Sequence, residues 1–234
     1  MIKDDSITSH FKELRTRIIK SFLLFSISLV VLLPFNKLIF EFFSTFVSRT
    51  IEQNLIAIEV ASPFFVPLKL VFFMAFLLTF PYLIFQVLSF MSPGLYKQER
   101  KIIFSRTALG SILFYLGIIF CISVVLPNVF YFFQNIGPEN LAITTDIAKF
   151  YDFSLNLMIA FGVTFQIPLL INAIISFGII TKNELRKYRG IVLIFCFFVG
   201  MIFTPPDIIS QIFLAVPMYI LFELGLTFTN EKKT

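Results

Sequence analysis

Apolar residues in this sequence gather into stretches long enough to cross a bilayer, and that one feature excludes most folds open to a soluble chain. A membrane helix needs about 20 mostly apolar residues, because the hydrocarbon core is ~30 Å thick and an α-helix rises ~1.5 Å per residue. Six stretches qualify or nearly qualify, near residues 18–40, 68–91, 107–127, 152–180, 190–204 and 207–228. With 58% apolar residues and only 14% charged, the 234-residue chain lacks the polar surface to cover a soluble domain. The same composition excludes a disordered chain, and two cysteines exclude a disulfide-stapled module. The expectation is an all-α, polytopic membrane protein forming a single integral membrane domain with six transmembrane helices.

The last two spans are the short ones. The fifth has about fifteen residues before Thr204-Pro205-Pro206-Asp207, roughly 22 Å of helix. The sixth is apolar only to about Phe222, because Glu223 follows. Such a pair is expected to thin the bilayer or to stop short of crossing it fully.

Basic residues set the orientation. Of the 19 Lys and Arg, 15 fall before span one, between spans two and three, between spans four and five, or after span six. The opposite face keeps Lys37, Arg49, Lys69 and Lys149. Under the positive-inside bias, both termini are cytoplasmic. The net charge of +5 is then the sum of a basic inner face and a mildly acidic outer face, and it argues for no nucleic-acid partner. Tyr96 and Tyr188 fall near the inner interface, with Tyr131 and Tyr151 near the outer one. Cys121 and Cys196 lie inside spans and read as small apolar residues. The first apolar run ends in Asn36-Lys37 rather than a small-residue cleavage site, so it is expected to remain as a span.

The loops before spans two and four are amphipathic. Segment 40–68 carries Phe42, Phe43, Phe46, Val47, Leu55 and Ile56 among its charges, and 130–151 is similar. Apolar residues at helical spacing predict short helices that cap the outer side. Ser62-Pro63 reads as an N-cap with proline at the first helical position. Thr181 and Glu184 have capping-box spacing, and Glu13 and Arg17 sit at i, i+4 on a helical segment over 9–20. Prolines at 34, 81, 168 and 217 permit kinks, so a concave, bent bundle is expected. No internal repeat is visible, which weakens an inverted-repeat transporter.

Polar groups inside spans are costly and each needs a reason. Span four holds Asn156, Gln166 and Asn172; span six holds Gln211 and, near its inner end, Glu223. Amides most often join helices. Glu223 is expected to snorkel or to meet a basic loop residue rather than to work in the membrane. Catalytic arrangements are lacking: one histidine, His10, no hydrolase or phosphate-binding motif, and no pair of membrane carboxylates. A membrane enzyme and a proton-coupled carrier are therefore disfavoured, and no cofactor or metal is expected. On the inner face, Glu13 and Glu99 sit among Arg15, Arg17, Arg100 and Lys101. Such carboxylates are ordinarily solvated, but they can also accept bidentate hydrogen bonds from arginines on an incoming peptide.

Six motifs in order carry a resemblance. They are Ser9-His10-Phe11-Lys12-Glu13-Leu14-Arg15-Thr16-Arg17, Val60-Ala61-Ser62-Pro63-Phe64-Phe65, Pro93-Gly94-Leu95-Tyr96-Lys97-Gln98-Glu99-Arg100, Thr145-Asp146-Ile147-Ala148, Phe161-Gly162-Val163-Thr164-Phe165 with Pro168, and Val199-Gly200-Met201 through Asp207. Together they resemble TatC, the multispanning core of the twin-arginine translocase, over nearly the whole chain. The resemblance implies a receptor in the bacterial cytoplasmic membrane. It would bind paired-arginine signal peptides of folded proteins, and assemble with single-span TatA- and TatB-like partners into a multimer driven by the proton-motive force. It implies signal-peptide contacts at Glu13 and Glu99, with Arg15, Arg17 and Arg100 in support, and outer family positions at Asp146 and Asp207. Asp207 also reads as an N-cap of span six. The family pattern has a glutamate where this chain has Gln166, which can hydrogen-bond but cannot ionise; partner-helix docking, or an intramembrane polar site that thins the bilayer, is expected there. The alternative reading is a small-solute secondary transporter.

Overall fold

The computed structural model describes residues 2–48, 55–91, 100–135, 145–176, 180–203 and 208–229. Ten helices lie in these segments: α1 (Ile2–Leu32), α2 (Asn36–Ser48), α3 (Ser62–Met91), α4 (Arg100–Phe120), α5 (Leu126–Asn135), α6 (Ile147–Thr164), α7 (Ile167–Ser176), α8 (Lys182–Lys187), α9 (Arg189–Phe203) and α10 (Ile208–Phe228). Two-residue strands β1 (Leu55–Ile56) and β2 (Thr145–Asp146) pair in parallel, Leu55 with Thr145 and Ile56 with Asp146. The chain is thus helical throughout, except for this one small ladder among the described residues.

Among the described residues, five helical runs are long and apolar enough to cross a membrane: Phe11–Thr45, Ser62–Phe90, Ile103–Asn135, Ile147–Ser176 and Ile208–Phe228. The sixth, Arg189–Phe203, keeps the 15 residues expected of it, about 22 Å. The first four runs begin earlier than their sequence-based bounds, because helix continues into the flanking segments, while Ile208–Phe228 keeps close to the expected ones. At Pro34 the first run tightens into a 3₁₀ turn, Leu33–Phe35, and resumes as α2. Helix α3 passes without interruption through Pro67 and Pro81.

The third run accommodates Pro127 differently. Residues Cys121–Val125 form one π-helical turn, in which the Leu126 N–H donates to the Cys121 carbonyl five residues back. The wider turn absorbs a residue where proline supplies no N–H. The fourth run, expected as one helix over 152–180, is broken at Phe165 and Gln166. Pro168 has no N–H for the Thr164 carbonyl, so α6 ends there and α7 begins at Ile167. Backbone bonds from Phe165 N to Phe161 O, Gln166 N to Val163 O and Leu170 N to Gln166 O carry the chain across.

Two compact units divide the chain, Met1–Ser44 with Pro63–Ser111, and Thr45–Ser62 with Ile112–Thr234. In the first, α3 buries Leu70, Val71, Phe73 and Ala75, and Phe43 meets Phe73 edge to face at 5.8 Å. In the second, Phe114, Leu126, Leu157, Met158, Phe161 and Leu214 are fully buried. Its close approaches need glycine: a Cβ on Gly162 would stand 2.5 Å from the Phe114 ring, and one on Gly225 2.9 Å from Pro168 Cα. Helices α7 and α10 therefore pack backbone to backbone, sealed by Ile171, Ile175, Phe222 and Leu226. Tyr131 is exposed, as a residue of an aromatic belt would be, but Tyr151 is fully buried and belongs to the core instead. Both cysteines are free and buried.

Candidate functional site

The expected pair on α1 forms. Arg17 donates to Oε1 of Glu13 from Nε at 2.9 Å and from Nη2 at 2.6 Å. Their side chains are 24% and 38% exposed, so the pair lies at a boundary between protein and surroundings. Helix periodicity places the two one turn apart on the same flank. The guanidinium also reaches across to α3. Its Nη1 donates to Oε1 of Gln86 at 2.9 Å, and Nη2 lies 3.5 Å from the Ser89 carbonyl.

Gln86 was not singled out from the sequence. It is a buried amide in a mostly apolar helix, about one turn from the end of α3, and its partner is 69 residues earlier. The available signal was its residue type alone: a glutamine in a stretch, 83–88, that otherwise reads Leu, Ile, Phe and Val.

Below this cluster a cavity of about 440 Å³ opens between α1 and α3, walled by Leu14, Ile18, Phe22, Phe25, Leu83 and Phe90. Arg17, Ser21 and Gln86 supply its polar edge. Glu13 reaches this groove through Arg17, its ion-pair partner, which lines it. Of the other residues expected on the recognition face, Arg15 is exposed on α1. Arg100 opens α4 as backbone, and Glu99 lies outside the described residues.

The span-four amides separate. Asn156 is exposed, Asn172 accepts a long hydrogen bond from the Ser176 hydroxyl at 3.5 Å, and Gln166 is buried in the turn between α6 and α7. Gln166 donates from Nε2 to the Gly162 carbonyl at 3.4 Å, one turn back in the segment that Pro168 interrupts. Gln211 donates to the Phe197 carbonyl at 2.8 Å and so joins α10 to α9 beside Gly200. This is the helix-joining role expected of an intramembrane amide.

Asp146 is an N-cap. Its Oδ1 accepts from Ala148 N at 3.3 Å and from Ile58 N at 3.5 Å, holding the start of α6 against the segment after β1. Asp207 lies outside the described residues. The start of α3 falls at Ser62 as expected, but through the backbone: Ser62 N donates to Glu59 O, while its buried hydroxyl has no hydrogen-bond partner among the described residues.

Near the other end of α10, Glu223 takes the basic partner expected of it. Arg189 Nη2 donates to its Oε2 at 2.6 Å, and the Tyr219 hydroxyl donates to Oε1 at 3.1 Å. Lys182 Nζ donates to the Thr227 and Thr229 carbonyls and so caps α10. The capping box of α8 is complete, with Thr181 and Glu184 exchanging side-chain and backbone bonds. Two hydrogen bonds from Thr181, the backbone one first, hold the Glu184 carboxyl below the usual carboxylate range, with Lys187 adding to the effect. Among the described residues no three of His, Cys, Asp and Glu gather to hold a metal ion.

Comparison with known proteins places this geometry in a family. Residues 9–217 match the sequence profile of the family described as Sec-independent protein translocase protein, TatC. The chain is 39% identical over 226 residues to the TatC of Escherichia coli K12, covering 96% of this chain and 88% of that one. It is 37% identical over 222 residues to the TatC of Haemophilus influenzae, covering 94% and 87%. A crystal structure of a twin-arginine translocase receptor TatC superposes with a TM-score of 0.83 at 28% identity, covering 93% of this chain and 96% of that one. A second, of the same receptor in DDM, gives 0.85 and covers 94% and 99%.

Proposed function

The chain belongs to the TatC family of Sec-independent protein translocase proteins, which are transport proteins rather than enzymes, and on that premise we propose that it is the signal-peptide receptor of a twin-arginine translocase. It acts as one integral domain of the bacterial cytoplasmic membrane, crossing six times in a concave, kinked bundle with both termini inside and its helical outer loops as a cap. Paired arginines of a signal peptide on a folded substrate engage Glu13 and Glu99, with Arg15, Arg17 and Arg100 shaping the surface. Single-span partners of the TatA and TatB type complete a multimeric assembly, with one partner helix docking near Gln166. Asp146 and Asp207 serve the outer face, and the proton-motive force drives export.

One observation carries the reading. Glu13 presents a partly exposed carboxylate bonded to Arg17, which lines an apolar groove, in a segment whose other charges at 12–20 are basic. A guanidinium suits such a site better than an ammonium, since its planar fork matches a carboxylate and sheds water more easily.

The test is capture of the full chain from membranes by a signal peptide bearing Arg-Arg, compared with the same peptide bearing Lys-Lys. Strong preference for Arg-Arg is expected. Equal capture, or none, removes the receptor reading.

A further inference from the structure

Arg17 approaches Glu13 unevenly. Both of its nitrogens on that side, Nε and Nη2, converge on Oε1, and Oε2 takes no hydrogen bond among the described residues. Left to itself, an arginine beside a carboxylate favours two parallel bonds, one to each oxygen. Here the guanidinium is also held from α3, by Gln86 at 2.9 Å and more loosely by the Ser89 carbonyl.

We infer that Gln86 is a positioning residue of the receptor site: by anchoring Arg17 to α3 it keeps that guanidinium on one oxygen of Glu13 and leaves the other to the incoming arginine. The inference rests on the receptor reading above. Gln86 suits this role because it is buried and its amide oxygen accepts from Arg17 without adding charge. With that acceptor gone, Arg17 is free to turn and span both oxygens. The receptor's own arginine then competes with the peptide for Glu13.

Membranes carrying the full chain with Gln86→Met, Gln86→Glu or Gln86→Asn are titrated with the Arg-Arg peptide. Gln86→Met keeps the volume and removes the acceptor. It is expected to lower affinity about tenfold, the scale of one hydrogen bond to a charged group. Gln86→Glu keeps an acceptor at the same reach and is expected to stay within about threefold of the parent, a rescue that a purely packing role would not produce. Gln86→Asn shortens the reach by one methylene and is expected to lose affinity as Gln86→Met does. It decides the matter if Gln86→Met shows no cooperative unfolding. Unchanged binding by the variants without a reaching acceptor, or equal loss in Gln86→Glu, overturns the role of Gln86. The parent chain's preference for Arg-Arg over Lys-Lys is read in the same titration, so failure of the receptor reading is seen separately.

Discussion

Arg17 meets Glu13 with two nitrogens, yet both land on the same oxygen, Oε1, at 2.9 and 2.6 Å. A half-occupied carboxylate in a partly exposed pair is suited to exchange partners without ever being left bare.

On that basis, Glu13→Ala is expected to weaken binding of the Arg-Arg peptide by about 10- to 100-fold, the worth of one to two charge-assisted hydrogen bonds. Titration of membranes with labelled peptide measures it. Parent-like binding by Glu13→Ala would mean that recognition resides elsewhere.

Gly225 lies where α10 crosses α7, and an added Cβ would stand 2.8 Å from Ile171 Cδ1 and 2.9 Å from Pro168 Cα. Gly225→Val is therefore expected to destabilise the chain by ~1–3 kcal/mol through overpacking. Gly190, where an added Cβ meets nothing within 4 Å, is the control. Gly190→Ala should be neutral or stabilising by up to about 1 kcal/mol, from helix propensity. Thermal unfolding in detergent, read for both, should separate them by several degrees.

The break at Phe165 and Gln166 follows from a missing donor at Pro168. Pro168→Ala supplies an N–H for the Thr164 carbonyl, and α6 and α7 are expected to merge. Spin labels at positions 156 and 176 should then approach the ~30 Å of 20 residues of straight helix. An unchanged distance would assign the break to packing instead of proline.

Acid should loosen α8. Because its folded carboxyl titrates below the ordinary range, Glu184 contributes stability above the unfolded carboxylate pKa, and that contribution is lost as pH falls through the lowered folded value. Hydrogen exchange over residues 182–187 should therefore speed up on acidification in the parent. In Glu184→Gln, which keeps an acceptor but does not titrate, the rate should show no such step once intrinsic exchange is subtracted.

What the sequence disclosed was local. The capping box at Thr181 and the Glu13–Arg17 pair depend on neighbours within four residues, where spacing carries the information. The number of apolar runs and the shortness of the fifth span follow from length alone. Contacts between distant residues were not legible. Gln86 takes its meaning from Arg17, and nothing around position 86 announces it. The prolines show the same limit: Pro81 passes inside a continuous helix, Pro168 ends one, and Pro127 follows a π turn. Each removes the same hydrogen bond, and the surrounding packing decides how the loss is met. Tyr151 went to the core, although its position in sequence suggested the interface.

The pairing of Leu55 with Thr145 joins backbone segments 90 residues apart. A ribosome delivers the first segment well before the second, at ~5–20 residues per second. For several seconds β1 therefore has no strand to pair with, while three helical segments are still being made and inserted. The small ladder closes only when that intervening hairpin has returned the chain to the same place. Two backbone rungs and the Asp146 cap thus form only after the whole segment between them has been made.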